Sequence, residues 1–115
     1  MENRSLKWLL DIQSSIEEIQ EFLNSNGVKS FLQYSKNKLV KRAVERDLAI
    51  IGEAVNKVKQ ENQEVFYSIE HAKSIIALRN HLIHAYDSVS DENIWSILVN
   101  HLPKLAAEVK TILGN

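Results

Sequence analysis

The sequence predicts an all-α protein, an up-and-down bundle of four to five helices, and two features carry that expectation. Apolar residues recur at helical spacing through most of the 115 residues, and only three glycines and one proline interrupt them. A sandwich or barrel needs a turn signal every ~8–12 residues, which so few breakers cannot supply. The length suits one domain over residues 1–115, and it suffices to bury a core without disulfide or metal staples.

The first helix follows from Leu6, Leu9, Leu10, Ile12, Ile16, Ile19, Phe22 and Leu23, with Asn26-Gly27 as its stop. Ser30 to Tyr34 makes a short helical turn, and Ser35 is placed to cap a long helix that reaches about Gln60. Within it Leu39, Ala43, Ile50, Ala54 and Val58 form one stripe and Val40, Val44, Ile51 and Val55 a second, so this helix should lie centrally. Gly52 costs such a helix ~1 kcal/mol relative to alanine. Close approach of another helix or a partner would explain it, and a tolerated glycine in an over-stable helix explains it equally well. Glu61-Asn62-Gln63-Glu64 reads as a polar connection, followed by a third helix from about Ser68 to Tyr86. After Asp87-Ser88-Val89-Ser90, either Ser90 or Asp91 caps a fourth helix carrying Ile94, Trp95, Leu98 and Val99. Pro103 kinks or interrupts it before Leu105, Val109, Ile112 and Leu113.

With no cysteine, disulfides, thiolate metal sites and cysteine nucleophiles are excluded. No apolar stretch approaches the ~18 residues of a membrane span, and the opening residues lack a signal peptide's apolar run, so a cytoplasmic protein is expected. The net charge of −1 conceals an uneven distribution. Residues 27–46 hold Lys29, Lys36, Lys38, Lys41, Arg42 and Arg46 against the single acid Glu45. Lys38, Arg42 and Arg46 follow at i+4 and form a ridge, a candidate RNA-binding face whose simpler reading is a solvated helix side.

Leu78-Arg79-Asn80-His81-Leu82-Ile83-His84-Ala85-Tyr86 holds the chemistry. Ile75, Leu78, Leu82 and Ala85 share a core stripe, whereas Asn80 and His84 stack at i, i+4 on the far side. Arg79 aligns with Tyr86 at i, i+7, and Ile76 and Ile83 lie between the two pairs. Reactive groups interleaved with apolar residues suggest a second contact surface on this helix, against another subunit, with the polar set lining a cleft. A guanidinium matches a phosphate or phosphorane, an imidazole moves protons near neutral pH, an amide orients either, and a phenol is a modification site. The set suits metal-free phosphodiester cleavage, although an ordinary salt-bridged surface uses the same residue types. His81 and His84 could share an ion, but no third ligand is evident, so no metal site is expected. His101 reads as a cap or surface residue.

Arg79-Asn80-x-x-x-His84-x-Tyr86 resembles the R-N-x-x-x-H-x-Y signature of the HEPN superfamily, in the HepT-like branch of toxin–antitoxin systems. Arg42 to Ala54 is similar to that family's central helix, and Ile94 to Leu105 to its W-x-x-x-x-x-x-L-P-x-L stretch, so the likeness spans nearly the whole chain. The resemblance implies a homodimer whose two motif copies face one another and cut RNA without metal or other cofactor. It assigns Arg79 and His84 as the catalytic pair, with Asn80 positioning them. It further implies a minimal nucleotidyltransferase antitoxin that transfers AMP to Tyr86, and it is compatible with a larger hetero-oligomer of toxin and antitoxin. Ala85 stands where the family often has glycine. The alternative is a non-catalytic helical subunit that holds a nucleotidyltransferase or a nucleotide.

Overall fold

The structure, a computed structural model, describes residues 3–114, with the side chains of Asn3 and Tyr86 outside the description. In chain order the helices are α1 (Asn3–Ser25), α2 (Phe31–Lys36), α3 (Lys38–Glu61), α4 (Gln63–Tyr67), α5 (Ala72–His84), α6 (Asp91–Ser96) and α7 (Leu102–Leu113). A single 3-10 turn, Tyr86–Ser88, precedes α6, and a π-helical turn, Ile97–His101, joins α6 to α7. Among the described residues there is no strand, so the protein is an all-α bundle as its spacing predicts.

The long helix α3 is central because it is apolar on two sides: α1 packs along one and α5 along the other. Val44, Leu48, Ile51, Val55 and Val58 of α3 meet Ile12, Ile16 and Ile19 of α1, and Leu102, Leu105 and Val109 of α7 complete one continuous core. Of the predicted stripes Val40, Val44, Ile51, Ala54, Val55 and Val58 are buried, Ala43 and Ile50 are only partly so, and Leu39 departs altogether. Leu39 is the most exposed large apolar side chain of the described chain, whereas Val40, the next residue in the same first turn of α3, is buried.

The link into α3 is shorter than Ser35 suggests. Asn37 alone separates α2 from α3, and its Oδ1 accepts from the Val40 N–H at 3.0 Å, so Asn37 is the cap. Ser35 instead donates its hydroxyl to the Leu32 carbonyl at 2.9 Å. Asn62 does the same at the other end of α3. Its N–H closes α3 on the Val58 carbonyl, and its Oδ1 accepts from Val65 N–H at 3.1 Å to start α4. The expected polar connection over residues 61–64 is thus one capping residue, and α5 begins at Ala72 rather than Ser68. Gly27, at φ +64°, makes the left-handed turn that ends α1, and Ser90 caps α6.

Pro103 acts through the turn before it. Proline has no N–H and its ring crowds the carbonyl four residues back, here Val99. The chain answers with a π turn in which the Leu102 N–H reaches the Ile97 carbonyl, five residues back. Leu98, Leu102, Leu105 and Val109 all remain buried across this kink. Among the described residues no helix is long and apolar enough to cross a membrane.

Candidate functional site

The site begins where α5 crosses α3. A Cβ placed on Gly52 would lie 2.2 Å from Arg79 Cβ, 2.9 Å from its Cγ and 3.1 Å from the Ile75 carbonyl oxygen. Only hydrogen fits there, so the glycine is explained by close helix approach, and the side chain it admits is Arg79. The next residue on α3, Glu53, then holds the guanidinium, Nη2 to Oε2 at 2.9 Å. Nη1 donates to Asn80 Oδ1 at 3.1 Å, and Nε is buried with no partner. A flexible arginine is thereby fixed from three sides, with about a quarter of its side chain open to solvent.

This guanidinium lines a cleft of about 230 Å3 together with Trp8 and Asp11 of α1, Arg46 and Ile50 of α3, and Ile83 of α5. Two arginines thus share one pocket. Asn80 and His84 stand exposed on the outward strip of α5, and His84 is not part of the cleft lining within one chain. Tyr86 opens the 3-10 turn after α5, and its side chain lies outside the described part of the structure.

The basic ridge divides. Lys38, Arg42 and Arg46 are all exposed, but Arg42 pairs with Glu45 at 3.0 Å and only Arg46 reaches the cleft. Lys41, off the ridge, bonds Asp91 at 2.9 Å and ties α3 to α6. Along α5, Ile75, Leu78 and Leu82 pack on the core as expected. Ile76 packs there too, so the unpartnered apolar part of α5 is narrower than its spacing predicts and centres on Ile83, which is 46% exposed. Among the described residues, no three histidine or carboxylate side chains converge as a metal site would require.

Two acids escaped the sequence reading. Glu53 could have been found, since it follows the one glycine inside a long helix. Asp47, next to Arg46, is buried at the seam of α1 and α3, and its Oδ2 meets no donor. Burial pushes its pKa up to about 7, helped by the Glu18 carboxyl bonded to it and by that group's charge, against the opposing pull of Ser15 and Arg46. Protonation of Asp47 would let one carboxyl donate to the other and remove the like-charge repulsion between them. Among the many charged residues of α3, nothing in the sequence singles out Asp47 as the one that faces inward.

Comparison with known proteins identifies the family. The ribonuclease HepT-like family profile matches residues 12–112. A Methanocaldococcus jannaschii protein named "Putative RNase MJ1380" is 33% identical over 113 residues, 97% of this chain and 100% of the relative. "Putative RNase TTE0752" of Caldanaerobacter subterraneus subsp. tengcongensis is 37% identical over 84 residues, 73% of this chain and 74% of the relative. "Probable ribonuclease HepT" of Thermococcus cleftensis is 30% identical over 105 residues, 91% and 92% of the two chains. No solved structure matches it. With a helical bundle, an arginine fixed at the α3–α5 crossing and a family match over most of its length, the chain belongs to the ribonuclease HepT-like family.

Proposed function

We propose that the protein is an endoribonuclease toxin that cuts RNA without a metal, in a cleft completed by a second copy of the chain. The observation that supports this most is the fixation of Arg79: a glycine that only a close crossing explains, a carboxylate and an amide all hold one guanidinium at a pocket wall. Such fixation is what charge stabilisation in a transition state requires, because a pre-placed donor costs no reorganisation when the charge develops.

In the reaction, His84 takes the proton from a ribose 2′-OH as that oxygen attacks the adjacent phosphorus. Arg79 stabilises the charge of the phosphorane, and Asn80 keeps the guanidinium in place. The P–O5′ bond then breaks, and the imidazolium gives its proton to the leaving 5′ oxygen. The products are a 2′,3′-cyclic phosphate and a 5′-hydroxyl. Arg46, in the same pocket, holds a neighbouring phosphate of the strand. A nucleotidyltransferase antitoxin neutralises the toxin by adding AMP to Tyr86, two residues beyond the end of α5 in the chain, and each AMP brings a negative charge to the motif.

Purified protein incubated with total RNA in EDTA, wild type beside His84→Ala, tests the reading. Wild type should leave cyclic-phosphate and 5′-hydroxyl ends, and the variant should be slower by ~10²–10⁴-fold. Equal rates, or cleavage that EDTA abolishes, overturn it.

A further inference from the structure

On the other flank of α5, away from the Arg79 cleft, lies an open groove of about 490 Å3 that the catalytic proposal does not use. It runs between α5 and the stretch from Ser88 through the π turn. His81 forms one wall, and Ser88, Asn93, Ser96 and His101 face it. Leu78, Val89 and Ile97 supply apolar surface in the same groove. We propose that this groove receives one nucleotide of the substrate RNA, the one flanking the scissile phosphate, and selects its base. The assignment deepens the ribonuclease reading and rests on it.

The lining decides the ligand class. It contains no lysine or arginine, so it is not built to grip a phosphate, and no aspartate or glutamate, so it does not repel a polyanion's approach. What it offers are imidazoles, an amide and hydroxyls, groups that donate and accept at short range, as the edges of a nucleobase do. The Asn93 amide makes no side-chain hydrogen bond among the described residues, and Ser96 Oγ accepts from Asn100 while keeping its own hydrogen to give. The apolar residues suit the face of a heteroaromatic ring, and the volume falls within the ~300–1,000 Å3 typical of small-ligand sites. Position supplies the register. His81 precedes His84 by three residues on the same helix, where side chains are neighbours ~5–6 Å apart. A phosphate held at His84 therefore puts one of its two nucleosides at the mouth of the groove.

The test is cleavage of a random-sequence RNA pool, with cut sites sequenced for wild type, His81→Ala and Asn93→Leu. Both side chains are exposed, so neither change removes core packing, and thermal melts followed by circular dichroism verify the fold. Wild type should show a base preference at one position beside the cut, and each variant should flatten it roughly three- to tenfold, the worth of a lost hydrogen bond, while cleavage itself continues. A wild type indifferent to both flanking bases, or variants that keep the preference unchanged, overturns the groove assignment and leaves the nuclease standing. A wild type that cuts no RNA at all removes the nuclease reading, and the groove's role with it.

Discussion

Gly52 and Arg79 are one device. Because the added Cβ of an alanine would strike the first carbon of Arg79, which cannot swing away as a side-chain tip would, α5 itself must shift. Gly52→Ala should therefore destabilise the bundle by about 1–3 kcal/mol in urea titrations despite its better helix propensity, and it should slow RNA cleavage at least ~10-fold by displacing the guanidinium. A gain in stability would show that the crossing is loose. Asp47 makes a prediction of the opposite sign from most buried acids. Its folded pKa of about 7 lies above its ordinary 3.8, so the native state holds a proton that the unfolded chain releases. Stability is then full below about pH 4, falls as pH rises toward 7, and is level above. Asp47→Asn should remove that slope and be more stable than wild type at pH 8, by on the order of 2 kcal/mol. Parallel slopes for the two proteins would show that no proton is shared there.

Helix ends show what each kind of signal can reveal. Asn37→Ala should cost ~1 kcal/mol and Ser35→Ala close to nothing, because the first ends a cap bond to Val40 N–H and the second frees only a hydroxyl. The reverse order in denaturant midpoints would restore Ser35 as the cap. The helices themselves were legible because apolar spacing is a local property: α1 and α3 lie where their stripes place them. One-residue links such as Asn37 and Asn62 were not, since a polar residue between two helical patterns reads as part of a loop or of either helix. The candidate set Arg79, Asn80 and His84 was legible as chemistry, and Gly52 as an unexplained cost. That the two belong together was not, because the contact joins residues 27 positions apart on helices whose crossing depends on the whole core. The groove flanking α5 was invisible for the same reason: its lining is drawn from residues between Ser74 and His101 that converge only in the folded chain.

On the proposed reading a single chain carries half of what the reaction needs. Its cleft presents Arg79 and Arg46, while His84 stands outside the lining on an open strip, beside an Ile83 that the chain leaves 46% exposed. A second copy related by a twofold axis would seal that isoleucine and bring a matching strip across the cleft, since one patch meets itself in such a pair. Ile83→Glu places a charge at the centre of this junction without touching the core, because the side chain is already half exposed. Wild type should sediment as a dimer and the variant as a folded monomer, and RNA cleavage should fall with the dimer fraction. Leu39→Glu, the matching change at the most exposed apolar side chain, lies 13 residues along α3 from Gly52, about 20 Å at helical rise. It should leave both assembly and cleavage unchanged. An Ile83→Glu protein that is monomeric yet cuts RNA at the wild-type rate would place the whole site within one chain, and His84 would then need a partner on α5 itself.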